Sequence, residues 1–88
     1  MRKLIATIPK NGREKILVAL DEFKTKDTTY DMISVRVFYE DGGEYRPGRN
    51  GLNVRVTLLP AIVAALRDAE TEARKAGLLG VEDERRAA

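Results

Sequence analysis

The sequence contains no cysteine and no histidine among its 88 residues. Their absence excludes a disulfide scaffold, a zinc or haem site with such ligands, and catalysis by a Cys or His nucleophile or base. Two clusters of carboxylates remain as candidates, one at an expected turn (Glu40, Asp41 and Glu44) and one near the C-terminus (residues 82–84). Exposed acids of this kind are usually solvated surface charges. We therefore expect no catalytic residue, no metal site, no cofactor and no enzymatic activity.

Long apolar runs are also missing. No stretch approaches the roughly 20 apolar residues that a membrane-spanning helix needs. The N-terminal stretch is basic, but Pro9 interrupts it after a few apolar residues, which is too short for a secretory signal. We expect no membrane partner and a cytoplasmic location, associated with the nucleoid if the source is prokaryotic.

Aromatic residues are scarce, at 6% of the chain, and all of them lie between residues 23 and 45. The formal net charge is +2, and it divides unevenly. Residues 1–57 hold 11 Lys/Arg and 8 Asp/Glu, a net of +3, whereas residues 58–88 hold 5 and 6, a net of −1. This mild excess is compatible with nucleic-acid binding without requiring it. The aromatic residues share the basic part of the chain.

The first half of the chain has two strand patterns. Residues 3–8 alternate moderately between two faces, and residues 9–12 end in Asn-Gly, a strong hairpin signal. Residues 13–23 contain five consecutive apolar residues, which fit a buried strand or a piece of helix. The preceding turn and the Val and Ile content favour a strand. Residues 24–31 are polar and predict a loop.

The second half continues this pattern and then changes period. Residues 32–40 are the clearest strand, with one face of Ile33, Val35, Val37 and Tyr39. A turn at residues 40–44 follows, then a stiff basic segment at 45–51 and a strand at 52–56. From residue 58 the apolar spacing is that of a helix.

The helix has predicted ends. Thr57 can cap its N-terminus, and Pro60 then falls in the first turn, where a missing N–H does no harm. Gly77 is suited to end the helix, with Leu78 packing back on it.

The predicted fold is therefore α+β, a four-stranded antiparallel sheet followed by one C-terminal helix (β-β-β-β-α). We expect one domain at residues 1–77 and a charged, flexible tail at 78–88. A chain of this size buries little surface by itself, and one helix can cover only one face of a sheet. The uncovered surface predicts a homodimer.

Basic and aromatic residues occur together in three groups, a combination suited to unpaired nucleic acid. Aromatic rings can stack on bases, while Lys and Arg contact phosphates. The groups are Phe23, Lys24 and Lys26; Arg36, Phe38 and Tyr39; and Tyr45, Arg46 and Arg49. Lys10, Arg13 and Lys15, around the first turn, add a fourth contact. Each group alone is weak evidence, because aromatic residues in strands more often belong to the core.

The order of these motifs resembles the single-stranded-DNA-binding C-terminal domain of the transcriptional coactivator positive cofactor four. The similarity covers about residues 5–76. It lies in the strand Ile33–Tyr39, the acidic glycine turn, and the segment Glu44–Leu52 with its Pro-Gly-Arg-x-Gly element. Glu22–Lys26 is similar to an Asp-Phe-Lys-Gly-Lys segment of that family. The resemblance implies a four-stranded sheet followed by a helix, and a dimer with two channels for unpaired strands.

The resemblance also implies DNA contacts for individual residues. These are Phe23, Lys24, Lys26, Arg36, Tyr39 and Arg46, with Arg49 at the family arginine that follows glycine. Asn50 departs from the family, which has lysine there. The serine-rich N-terminal arm of the eukaryotic coactivator is missing, so the chain is similar to a compact prokaryotic or phage version.

Two functions remain open at this point. The first is a homodimeric, sequence-nonspecific protein that binds single-stranded DNA and serves as a transcriptional coactivator or regulator, with transcription machinery as a further partner. RNA and melted duplex are alternative ligands, and replication and repair are alternative processes. The second is a dimeric protein–protein interaction adaptor, in which Phe38 and Tyr39 belong to the core.

Overall fold

The computed structural model describes residues 2–80. Four strands precede a short 3-10 turn (Val56–Leu58) and one helix; they are β1 (Lys3–Pro9), β2 (Glu14–Lys24), β3 (Thr29–Asp41), β4 (Glu44–Arg55) and α1 (Leu59–Lys75). The strands form one antiparallel sheet in the order β1-β2-β3-β4. The predicted fold class is therefore confirmed. The chain divides into two compact units, the sheet and the helical part, between Val56 and Thr57.

Two of the hairpin turns follow directly from their residues. In the first, the backbone N–H groups of Lys10 and Asn11 both donate to the Glu14 carbonyl, at 3.1 and 3.2 Å. The β3–β4 turn consists of Gly42 and Gly43, with φ of 62° and 87°. Two consecutive positive φ angles match the twist of a two-residue hairpin, and glycine adopts them without steric cost.

The loop predicted at residues 24–31 is too long. β2 continues to Lys24 and β3 begins at Thr29, which leaves a turn of residues 25–28. This turn is closed by Thr25, whose N–H donates to the Thr28 carbonyl at 2.7 Å and whose hydroxyl oxygen accepts from the Thr28 N–H at 3.0 Å. Residues 24–31 are polar apart from Tyr30, so no run of alternating apolar side chains marks these strand ends in the sequence.

The segment at residues 45–51, predicted to lie outside the strands, is part of β4. A bulge within this segment interrupts the ladder between β3 and β4 without ending it. The sequence predicts a loop there and a separate strand at 52–56 because Pro47 and two glycines are typical loop-forming residues.

The start of the helix corrects one prediction. Thr57 lies within the 3-10 turn, and Leu58 occupies the N-cap position without a side-chain cap. Pro60 does lie in the first helical turn, as predicted.

The end of the helix is set by glycine. Gly77 has a φ of 74°, and its N–H donates to the Arg74 carbonyl at 3.0 Å. The N–H of Leu78 reaches the Ala73 carbonyl at 2.9 Å, which completes a Schellman motif. The Leu78 side chain does not pack back, because it is 74% exposed. Most of the tail predicted at 78–88 lies outside the described residues, which end at Gly80, and its separation from the domain stays a prediction.

One face of the sheet is almost entirely aliphatic over its middle. The register places the following residues on this aliphatic face: Ala6, Ile8, Ile16, Val18, Leu20, Ile33, Val35, Val37, Leu52 and Val54. Of these only Ile33 is buried, at 4% exposure, and Ala19 on the opposite face is the other buried residue among residues 2–80. The described chain thus leaves a large aliphatic surface partly uncovered.

The helix also keeps apolar side chains at its surface. Val63 is 38% exposed and Leu66 is 64% exposed, and no residue of α1 is buried. No helix within residues 2–80 is long and apolar enough to cross a membrane.

Candidate nucleic-acid interface

The second face of the sheet carries most of the aromatic residues together with cations. We call it the aromatic–basic face; its aromatic and cationic members are Lys15, Phe23, Tyr30, Arg36, Phe38, Tyr45 and Arg55. They share a face because paired residues of antiparallel strands project to the same side. Sequence motifs had grouped them by chain position, whereas the register groups them by face.

Two cations on this face lie over aromatic rings. The Lys15 ammonium is 3.9 Å from the centre of the Tyr45 ring, and the Arg55 guanidinium is 4.7 Å from the centre of the Tyr30 ring. Both distances are within the range of a cation–π interaction. Sequence reasoning placed Lys15 among the cations around the first turn, but it did not assign Tyr30 or Arg55 to the site and did not pair Lys15 with Tyr45. These pairs form across strands and depend on a register that the motifs do not reveal.

Several rings are exposed to solvent. Phe23 is 56% exposed and Tyr45 is 42% exposed, while Phe38 and Tyr30 are half-buried. Tyr39 is 41% exposed although it lies on the opposite face. An exposed ring offers a surface on which a base can stack, whereas the adaptor hypothesis predicts that Phe38 and Tyr39 are core residues.

The structure does not bring all of the predicted contact residues together. Phe23 and Arg36 lie on the aromatic–basic face. Lys24, Tyr39 and Arg46 lie on the other face, where Tyr39 is paired directly with Arg46. The separation follows from the two-residue period of a strand, which sends neighbours such as Phe23 and Lys24 to opposite sides.

The remaining predicted residues lie in turns at both ends of the sheet. Lys10 is in the β1–β2 turn and Arg13 directly precedes β2, where its carbonyl accepts from the Glu40 N–H at 2.8 Å. Lys26 is in the β2–β3 turn, beside the end that carries Phe23. The ten residue steps of β2, each of about 3.4 Å, separate these ends by about 34 Å. A ligand that contacts both ends must therefore be extended.

A bulge in β4 presents Arg49. Arg36 is paired with Gly51 and Phe38 with Pro47, so the single residue Val37 faces three residues, 48–50. Two residues of β4 are therefore additional to a regular ladder, and such insertions locally bend a strand. Arg49 is one of these additional residues, and it is exposed.

The two glycines of the Pro-Gly-Arg-x-Gly element allow β4 to approach β3 closely on either side of the bulge. A Cβ on Gly51 would lie 2.4 Å from the Val35 carbonyl oxygen, and one on Gly48 would lie 2.9 Å from the Val37 carbonyl oxygen. Gly51 also has a φ of 147°, a backbone conformation that residues with a side chain rarely adopt. The motif is thus explained by backbone contact.

Arg36 is bonded to this bulge. Its Nη1 donates to the Gly48 carbonyl at 3.1 Å and to the Arg49 carbonyl at 3.4 Å. The side chain is half-buried. One of the residues predicted to contact DNA therefore already has backbone acceptors.

Some of the predicted cations are paired with carboxylates. Arg46 contacts Asp41 at 3.0 Å and Glu44 at 3.6 Å, and Lys10 contacts Glu14 at 3.1 Å. Hydrogen bonds from Asn11 and then from Lys10 hold the pKa of the Glu14 carboxyl below its ordinary value. These groups are exposed, so a phosphate can compete for the cations.

Other cations have no carboxylate within ion-pair distance among residues 2–80. They are Lys3, Arg13, Lys15, Lys24, Lys26, Arg36, Arg49, Arg55 and Arg67. In the same part of the chain there is no enclosed pocket and no group of three or more acidic residues placed to hold a metal ion. The candidate site is an open surface with positive charge available to a ligand.

Comparison with known proteins identifies a matching fold. No family profile and no curated protein sequence matches the chain. The crystal structure of a PC4 homolog from Burkholderia pseudomallei does match, with a TM-score of 0.65 and 24% identity over 80% of this chain and 98% of that one. PC4 is the positive cofactor four that the motifs resemble. The chain therefore has the fold of that PC4 homolog.

Proposed function

We propose that this chain is a PC4-family protein that binds single-stranded DNA without sequence preference. We further propose that it acts as a homodimer, in the cytoplasm, and serves transcription as a coactivator or regulator. The shared fold with a PC4 homolog supports the family assignment. The motifs Phe23–Lys26 and Pro47–Gly51 support it independently.

The observation that carries the proposal is one sheet face with exposed rings and unneutralised cations. Phe23 is 56% exposed, and Lys15 and Arg55 lie on its face without carboxylate partners among the described residues. Base stacking on rings and phosphate contact by cations are the two interactions that hold unpaired strands. Neither interaction reads base edges, which accounts for the absence of sequence preference.

The partly uncovered aliphatic face supports the homodimer. Only Ala19 and Ile33 are buried in the described chain, and the helix keeps Val63 and Leu66 exposed. Apolar surface of this extent is normally covered by a partner, and self-association is the commonest solution. A second copy also doubles the number of aromatic–basic faces.

Binding on this surface is expected to be led by the phosphates. Each Lys or Arg that contacts a phosphate releases condensed counterions, so affinity falls as salt rises. For single strands the slope of log affinity against log salt is about −0.7 per contact. Five or six contacts thus give a slope of about −4.

Fluorescence anisotropy with a labelled oligothymidine of about 20 nucleotides tests the proposal. The wild-type protein is titrated at two salt concentrations against this strand, an RNA strand and a duplex of equal length. Arg67→Ala, on the helix, is the matched charge-removal control. We expect strong, salt-sensitive preference for the single strand and little effect of the control substitution. Absence of binding at low salt would reject the DNA-binding function and favour the adaptor.

A further inference from the structure

The bulge of β4 leaves backbone groups outside the ladder. Residues 48–50 face only Val37, so they cannot all pair with β3. Unpaired backbone carbonyls next to a sheet need donors, and leaving them without any is costly. Two of these carbonyls, from Gly48 and Arg49, accept from the same nitrogen of Arg36.

The geometry of Arg36 suits this task. Arg36 is paired with Gly51 in the ladder, so its side chain begins at one end of the bulge. The planar guanidinium directs its two Nη1 hydrogens in fixed directions, here toward two consecutive carbonyls. An ammonium group has no such fixed fork.

We infer that Arg36 is a positioning residue, which holds the β4 bulge in the shape that presents Arg49 to the bound strand. The contact between Arg49 and a bound strand rests on the proposed function, whereas the role of Arg36 in holding the bulge does not. It differs from the role that the motif resemblance implies for Arg36, which is direct contact with DNA. Arg49, exposed and without a carboxylate partner among residues 2–80, is the residue that makes the phosphate contact.

Two substitutions separate charge from position. Arg36→Lys keeps the positive charge but loses the planar fork, and Arg49→Ala removes the presented side chain. If Arg36 contacted a phosphate through its charge, Lys at this position would bind nearly as well. Its effect on affinity would then be independent of the effect of Arg49→Ala. If Arg36 acts through Arg49, Arg36→Lys weakens binding only while Arg49 is present.

The test combines amide hydrogen exchange with a double-mutant cycle for oligothymidine binding. We expect Arg36→Lys to speed exchange in residues 48–51 about tenfold or more while the amides of β2 stay protected. Loss of one charge-assisted contact predicts about fivefold to tenfold weaker binding for Arg49→Ala. Arg36→Lys is expected to weaken binding by a similar factor alone, and by less than twofold in the Arg49→Ala background.

Unchanged exchange in residues 48–51 would overturn the inference, and so would an equal effect of Arg36→Lys in both backgrounds. Absence of binding by the wild-type protein is a different result. It would reject the proposed function, and with it the role of Arg49. The exchange measurement alone would then decide whether Arg36 holds the bulge.

Discussion

The two faces of the sheet differ in chemistry although the same strands build both. The aliphatic face is a continuous surface of Val, Ile and Leu, whereas the aromatic–basic face mixes rings with Lys and Arg. Where the ladder is regular, each strand residue contributes to one face or the other by alternation. The difference predicts that substitutions on the two faces have different consequences: for stability on the aliphatic face and, under the proposed function, for binding on the aromatic–basic face.

The largest effect is expected on the aliphatic face. Ile33 is 4% exposed, so Ile33→Ala removes buried methyl groups and leaves a cavity, which should lower the free energy of unfolding by about 2–4 kcal/mol. The matched control is Ile5→Ala, because Ile5 is 52% exposed. Urea denaturation followed by circular dichroism measures both. Equal losses for the two variants would show that this face does not supply the stability.

The sequence made the strands, the hairpins and the helix predictable, because each has its own period or turn residues. Alternation identified β3, and Asn-Gly and Gly-Gly identified two turns. Which residues share a face of the sheet was harder to predict from the sequence. Residues 45–51 look like a loop, since nothing in the sequence says that two additional residues can be absorbed by a bulge opposite Val37.

The candidate site was predictable only in part, for the same physical reason. Motifs supply residue types in chain order, but contacts across strands depend on register. The stacking of Lys15 on Tyr45 and the bonds from Arg36 to the bulge therefore emerge only from the structure. The missing Thr57 cap has another cause: a 3-10 turn intervenes between β4 and the helix.

A second prediction concerns the contact between β3 and β4, which both faces share. Gly51→Ala places a methyl group 2.4 Å from the Val35 carbonyl oxygen in a backbone conformation that alanine disfavours. The strand must shift, and we expect a loss of about 2 kcal/mol in stability together with weaker oligothymidine binding. Asn50→Ala, within the same bulge, is the control. If Gly51→Ala kept the urea midpoint and the oligothymidine affinity of the wild type, the proposed role of the close approach between β3 and β4 would be contradicted.

A smaller effect is expected at the β3–β4 hairpin, where Arg46 is paired with Asp41 and Glu44. The double variant Asp41→Asn/Glu44→Gln releases Arg46 and removes two negative charges. If Arg46 contacts a phosphate, affinity for oligothymidine should rise about twofold to fivefold, since exposed pairs contribute up to about 1 kcal/mol. Anisotropy at low salt measures this change.

Glu72→Gln is the control for that experiment, because it removes a carboxylate paired with Lys75 on the helix. An increase in affinity in both variants would indicate a general effect of net charge. No increase in either would place Arg46 outside the path of the strand.

The most direct test of the account is to measure stability and binding together in Phe23→Ala. Phe23 is 56% exposed on the aromatic–basic face, so its ring contributes little to packing. Stacking of one base is worth about 1–3 kcal/mol by alanine substitution, so we expect binding of oligothymidine to weaken about tenfold. The urea midpoint should stay within error of the wild type. Unchanged affinity, or a loss of affinity accompanied by an equal loss of stability, would contradict the separation of the two faces.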